Sequence, residues 1–304
     1  MRVLISGASG LIASELKVQL KARGHEPVSL VRRKARNSSE VEWNPAEGEL
    51  QPGVMDSIDA VVNLAGATTG KIPWTKGYKQ EIVNSRLNST RTIVNAINSA
   101  ANPPKVLVSG SASGFYGDCA DATLDESAPK GTGFLSDLAA RWETEALKAG
   151  GTHAGTGQGS TRVVLLRTTM VMSRKLGALG KLLPLIKLGI GGPLGSGKQW
   201  WAWISVVDQA RAIIHLIENE SCSGAYNITA PQPATCEEIV RALAKGLKRP
   251  AFFRVPEFAM NLLIGEAARE LLLCSQKMTS TRLEASGFKF EHPTLDSAVK
   301  YVLS

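Results

Sequence analysis

Short, unbroken apolar runs alternate with longer stretches of helical periodicity through the first half of the chain. Residues 2–6 form the first run and predict a strand buried on both faces. Leu11, Leu16, Val18 and Leu20 supply apolar positions for a helix over 11–22. Pro27 to Val31 predicts a second strand, and Ile58 to Leu64 another, followed by the small-residue turn Ala65-Gly66-Ala67. Between them, the acidic, proline-punctuated segment Glu40 to Pro52 reads as irregular surface. A long helix fits 79–100, where Ile82, Leu87, Ile93, Val94 and Ile97 recur near helical spacing. Pro103-Pro104 ends it, and Lys105 to Ser109 gives the next strand. A helix at about 135–148 and a strand from Arg162 to Leu166 continue the series across the glycine-rich surface connection Gly150 to Gly159.

Strands and helices in this order predict an α/β fold, a Rossmann-type doubly wound parallel sheet. The rhythm changes near residue 170. A helix from Leu179 to Leu188 runs into a glycine-rich segment at 189–197, followed by Trp200-Trp201-Ala202-Trp203. Helices are expected at 208–218, 235–246 and 257–273. The expected division is a main domain over 1–169 and a mixed region over 170–304. Part of that region returns to the sheet, and part forms a smaller, mainly helical substrate lobe.

The chain carries a formal net charge of +8, but its basic residues are dispersed, so no nucleic-acid partner is expected. Leu182 to Ile190 is too short to span a bilayer and is broken by Pro184 and Lys187, so no membrane partner is expected either. Cys119, Cys222, Cys236 and Cys274 lack metal-ligand spacing and the four histidines form no ligand pair, so no metal site is expected. The sequence enters its first strand directly after Met1-Arg2, which suits a cytoplasmic protein, or an organellar one whose targeting segment lies outside this chain.

Gly7, Gly10 and Ala13 fall on the positions of G-x-x-G-x-x-G/A at the first strand–helix junction. The first glycine permits the sharp turn, the second lets a pyrophosphate approach, and the alanine lets the helix lie on the sheet. Gly7, Ala8, Ser9, Gly10, Leu11 and Ile12 are therefore the candidate dinucleotide-binding turn, with helix amides and dipole facing the phosphates. The second strand ends in Val31-Arg32-Arg33, where an NAD site commonly has an acidic residue. A basic pair suits the extra 2′-phosphate of NADP(H), with Arg32 the first candidate and Arg33 the second. A solvated basic loop is the alternative.

Together with NLAGA at 63–67, NSRLNSTR at 84–91, VSGSASGFYG at 108–117, ARWE at 140–143 and GGPLGSGKQWWAWI at 191–204, these residues resemble a known family. It is the atypical extended short-chain dehydrogenase/reductases, the NAD-dependent epimerase/dehydratase-like proteins. SQKMTSTRLEASGFKF at 275–290 points to the subgroup with a C-terminal domain of unknown function, some of whose members are labelled sugar-nucleotide epimerases or cell-division inhibitors. The resemblance implies that Asn63, Leu64, Ala65 and Gly66 pass beside the cofactor. It places Ser109 to Ser111 near the nicotinamide end and makes Thr168, Met170 and Val171 close over the cofactor.

The wider superfamily uses a serine with a Tyr-x-x-x-Lys pair, the tyrosine moving a proton while the nicotinamide exchanges hydride. Here Leu135 and Ala139 stand at the expected tyrosine and lysine positions. Ser111 is the serine counterpart, and Ser113 competes because the loop is one residue longer than the common form. Tyr116 is a candidate proton carrier or packs beneath that loop. Arg141 either contacts an anionic substrate or faces solvent, and Trp201 and Trp203 either wall the substrate cleft or form a core patch. Close relatives often carry histidine where this chain has Ser205, and Asp208 is expected to cap the following helix. Two functions are compatible with these residues. One is an NADP-dependent oxidoreductase or epimerase-like enzyme acting on a small polar carbonyl or sugar-like substrate. The other is an NADP(H)-sensing or regulatory protein, with a homo-oligomer or a protein partner.

Overall fold

The computed structural model describes residues 1–151, 161–174 and 179–304. The chain runs through β1 (Arg2–Ser6), α1 (Leu11–Ala22), β2 (Glu26–Val31), β3 (Glu40–Asn44), β4 (Glu49–Leu50), β5 (Ala60–Asn63) and α2 (Lys76–Asn98). It continues through β6 (Val106–Ala112), β7 (Thr123–Leu124), α3 (Phe134–Leu147), β8 (Arg162–Thr168), β9 (Met170–Met172) and α4 (Leu179–Lys187). Next come β10 (Trp203–Ser205), α5 (Val206–Glu218), β11 (Gly224–Ile228), α6 (Cys236–Gly246) and α7 (Glu257–Ile264). The chain ends through α8 (Glu266–Ala268), a π-helical turn (Arg269–Leu273), β12 (Lys277–Met278), α9 (Thr281–Ala285) and α10 (Leu295–Leu303).

Eight strands form one sheet in the order β11-β8-β6-β5-β1-β2-β3-β4, parallel except for the β3–β4 pair. The inner strands are mostly apolar because both their faces are covered. Val3 and Ile5 point to the face where α1 (Ala13, Leu16, Leu20) and α5 (Ile213, Ile217) pack. Leu4 and Val61 point to the other face, against Ile93, Val94 and Ile97 of α2 and Ala146 of α3. The winding reverses between β1 and β5, so the crevice at their carboxyl ends is the topological switch point where such sheets bind ligands. The register sets Ser6 beside Asn63, Asn63 beside Ser109, and Ser111 beside Arg167. Buried polar side chains thus gather at this edge.

Two elements depart from expectation. Glu40 to Pro52 is not irregular: β3 joins the sheet, and Trp43 is buried with Val28, Leu30 and Met55. Val41 and Trp43 alternate with Glu40 and Glu42, and the charges hid a one-sided strand. The expected helix over 257–273 breaks at Gly265, where φ is +59° and the chain restarts as α8 and the π-helical turn. Val18, counted on the apolar face of α1, is exposed. The connection expected at Gly150 to Gly159 lies almost wholly outside the described residues.

The C-terminal region does return to the sheet, as β11 beside β8. Its own core joins Trp201 and Trp203 to α4, α6 and α10 through Ile186, Ile239, Leu243 and Val299. Among the described residues, no helix is long and apolar enough to cross a membrane.

Asp208 sits at the third position of α5 rather than at its cap. Ser205 is the cap: its hydroxyl accepts the Asp208 N–H at 3.0 Å and itself donates to the Asp208 carboxylate at 3.0 Å. The fully buried Asp208 carboxylate also accepts the backbone N–H groups of Glu291 and His292, at 2.7 and 2.8 Å. It therefore anchors the C-terminal segment that leads into α10. Replacing Asp208 with Ala leaves those two amides unpaired and is expected to cost about 2–4 kcal/mol. Denaturant unfolding measures it, and a loss under about 1 kcal/mol would contradict the anchoring role.

Candidate functional site

The first turn is built around one obligatory glycine. Gly7 has φ +66°, and a Cβ there would lie 2.6 Å from the Leu64 carbonyl oxygen. The β1–α1 turn thus presses directly on the chain leaving β5. Gly10 caps α1 without a side chain, its N–H donating to the Gly7 carbonyl at 2.8 Å. No acidic residue stands in the first turn of α1, so its free amides and positive end face the crevice uncompensated. Ala13 is buried against the sheet. An anion fits this end of the helix, with Ser9 exposed beside it.

Asn63, expected beside the ligand, turns its side chain inward. Its Oδ1 accepts the Ser6 hydroxyl at 2.6 Å and its Nδ2 donates to Thr90 Oγ1 at 2.9 Å. Ser6 Oγ in turn accepts the N–H groups of Leu64 and Ala65, at 3.0 and 3.1 Å. Asn63 therefore shapes the exit of β5, and the backbone of 64–66 is what borders the turn. Gly66 leaves room for Arg86, whose guanidinium stands within 3.3 Å of where a Cβ would sit.

The two arginines after β2 are not equivalent. Arg33 is held by Glu40 through bonds of 2.6 and 2.8 Å, and Glu40 also accepts the Arg36 N–H at 2.9 Å. The Arg33 guanidinium, helped by that amide, draws the Glu40 carboxyl down to about 2. Arg32 is exposed and has no bonding partner among the described residues. It is a free cation at this strand end.

Below the turn lies a buried polar network. Ser111 Oγ donates to Glu143 Oε1 at 2.6 Å, and Arg167 clasps the same carboxylate at 2.9 and 3.0 Å. Arg167 Nη1 also donates to the Tyr116 hydroxyl at 2.8 Å, and its guanidinium stacks 3.6 Å from the centre of the Phe115 ring. Tyr116, a candidate proton carrier, is fully buried with its hydroxyl donating to Asn227 Oδ1 at 2.7 Å. Burial pushes its pKa up to about 12, against the pull of Arg167. Tyr116 packs beneath the loop and faces no crevice. Ser113 is half-buried, and its hydroxyl has no partner among the described residues. Ser109 is buried beside Gly110, where a Cβ would lie 2.7 Å from the Trp142 ring.

Thr168 ends β8 with its hydroxyl 3.4 Å from Gln209 Nε2, and Met170 and Val171 pair with Trp203 and Ile204 across β9 and β10. On α3, Ala139 is buried and Leu135 packs under Gly114. Neither carries a proton. The amino end of α3 is closed by Glu270 of the π-helical turn, whose carboxylate accepts the Phe134 and Leu135 N–H groups at 2.8 and 2.7 Å. The sequence offered no sign of this long-range cap.

Three candidate substrate contacts lie elsewhere. Trp201 and Trp203 belong to the C-terminal core, with Trp203 fully buried, because the surrounding helices need large apolar side chains there. Arg141 is exposed on α3, in a shallow depression with Leu87 and Arg91. Ser205, where histidine is expected from the resemblance, has His292 Nδ1 at 3.1 Å from its hydroxyl. An imidazole thus reaches this junction from another part of the chain.

A reversing parallel sheet with an uncapped glycine turn at its switch point defines a nucleotide-binding α/β protein. Residues 3–229 match the model of the NAD dependent epimerase/dehydratase family, and residues 255–302 match a domain of unknown function, DUF1731. The chain belongs to that family. It is 38% identical over 299 residues to Epimerase family protein ML0860 of Mycobacterium leprae, covering 98% of this chain and 94% of the relative. It is 36% identical over 309 residues to human Epimerase family protein SDR39U1, covering all of both. The crystal structure of human SDR39U1 (isoform 2) with NADPH superposes with a TM-score of 0.89 at 32% identity, covering 100% of this chain and 99% of that one.

The buried ion pair predicts a double-mutant result. Arg167→Met strands the Glu143 carboxylate and is expected to cost about 3–5 kcal/mol, whereas Arg167→Met with Glu143→Met should recover part of that loss. Urea unfolding of both variants is the measurement; a double variant no more stable than the single one would refute the pairing. Tyr116 adds a pH dependence. Its folded pKa exceeds the ordinary 10.0, so its contribution is complete below pH 10.0 and is lost as pH rises through about 12. Tyr116→Phe should remove that alkaline loss from the stability profile, and an unchanged profile would count against it.

Proposed function

We propose that the crevice at the carboxyl ends of β1, β2 and β5 binds NADP(H), and that the protein is an epimerase or oxidoreductase for a small polar carbonyl or sugar-like substrate. The observation that carries this reading is Arg32, an exposed guanidinium without a partner among the described residues, in the segment Val31-Arg32-Arg33 that ends β2 without an acidic residue. The NADPH named with the human relative supports it. In this reading the first-turn amides of α1 and Ser9 hold the pyrophosphate, and Arg32 takes the 2′-phosphate. The backbone of 64–66 borders the adenosine side, Ser109 lies toward the nicotinamide end, and Thr168, Met170 and Val171 close the crevice. When bound, the nicotinamide supplies hydride exchange.

The proton side of the reaction falls to residues other than a tyrosine–lysine pair. Ser111 spends its hydrogen on Glu143, so what it offers a substrate is its lone pairs. It orients a substrate hydroxyl by accepting from it. Ser113, whose hydroxyl is uncommitted, is the group left to exchange hydrogen bonds with a carbonyl oxygen. A second reading, an NADP(H)-sensing protein without turnover, is favoured by the same network, since Ser111 and Tyr116 are both committed to protein partners.

Arg32→Ala should weaken NADPH roughly 10- to 100-fold while leaving NADH within about threefold, the worth of a charge-assisted bond to phosphate. Arg33→Ala should weaken NADPH less, because Glu40 already occupies that guanidinium. Calorimetric titration of both cofactors tests this; equal losses for NADPH and NADH on replacing Arg32 would reject the phosphate site. NADPH oxidation across a panel of polar carbonyls separates the two readings, since tight binding without turnover selects the sensor.

A further inference from the structure

We propose that the C-terminal region carries a second ligand site, one for an amphiphilic anion: a phosphate or carboxylate borne on an apolar chain or ring. An open groove of about 550 Å³ lies where the last turn of α6 meets the loop 249–254 and Pro193. Its size is that of a small-molecule pocket. It shares no residue with the crevice at β1, β2 and β5.

The charge of the wall is one-sided. Arg241, Lys245, Arg249 and Arg254 line it, and the carboxylate that meets them is Glu237. Glu237 bonds Arg241 at 2.6 Å and Arg254 at 3.0 Å, which fixes those two guanidinium groups in place. Arg254 is tied further to the Gly195 and Ser196 carbonyls. Lys245 and Arg249 have no side-chain partner among the described residues and stand free at the opening. The carboxyl end of a helix would oppose an anion, but here the carbonyls of Leu243, Ala244 and Lys245 already accept the N–H groups of Leu247, Arg249 and Lys248.

The apolar half of the ligand has its own surface. Ala244, Pro250 and Ala251 line the groove, and Phe252 stands at its rim with 82% of its surface exposed. The neighbouring loop carries exposed Leu188 and Ile190 on either side of Gly189, whose Cβ position lies 3.6 Å from Pro250. Unpaired cations beside exposed large apolar side chains call for a partner that satisfies both. A second copy of this chain would bring the same cations face to face. A bare phosphate would leave the apolar rim in water.

Hexyl phosphate, inorganic phosphate and hexanol titrated calorimetrically into the full chain provide the test, using the wild type, Arg249→Glu and Phe252→Ser. Both replaced side chains are exposed, so the fold should survive, and NADPH titration in parallel monitors the other site. Hexyl phosphate should bind at least about tenfold more tightly than phosphate or hexanol, and binding should weaken with added salt. Arg249→Glu should abolish binding, and Phe252→Ser should lower the hexyl phosphate affinity about tenfold without changing NADPH. Equal affinity for phosphate and hexyl phosphate, or indifference to both replacements, would overturn the site. So would joint loss of NADPH binding, or capture by phosphatidylglycerol vesicles without binding of soluble hexyl phosphate, which would make the face a membrane surface.

Discussion

The ion pair of Arg167 with Glu143 is where this molecule is tied together. Arg167 is the last residue but one of β8, Glu143 lies in α3, Ser111 is the last but one of β6, and Tyr116 closes the loop beyond it and passes the chain of bonds to Asn227 of β11. Two buried charges of this kind contribute little net stability by themselves, because the cost of removing them from water offsets their attraction. What they supply is placement. Each partner would be costly to leave alone, so the strand ends, the helix and the loop hold one relative arrangement.

That arrangement explains why the two halves of the crevice differ. On the side of the glycine turn, groups stand unspent: the first amides of α1, the hydroxyl of Ser9 and the guanidinium of Arg32. On the side of α3, nearly every polar group is already engaged. The Ser111 and Tyr116 hydroxyls serve the network, Leu135 and Ala139 carry no proton, and the helix end is taken by Glu270. The two sides of the crevice thus differ in physical character, one left open and the other largely saturated.

The main sheet was legible because buried parallel strands are written as unbroken apolar runs and their helices as regular stripes. Gly7 was legible for the same local reason, since a left-handed turn against another strand admits no side chain. β3 was hidden because alternate glutamates mask Val41 and Trp43. Glu270 and His292 were hidden for a deeper reason: their partners, at residues 134–135 and 205, lie more than a hundred and about ninety residues away respectively, and no periodicity encodes such a meeting. Arg167 and Glu143 did leave a trace, a charge at the end of an apolar strand and another on the inner face of an amphipathic helix. Arg141, two residues from Glu143, lies on the opposite, exposed side of that helix.

The cap that Glu270 places on α3 has a consequence for polarity. Of the helices that begin at this end of the sheet, α3 carries its own counter-ion, delivered from the far end of the chain, whereas the first turn of α1 has none. An anion entering the crevice therefore meets a stronger positive field at α1 than at α3, which biases the direction of an asymmetric ligand before any side chain reads its chemistry.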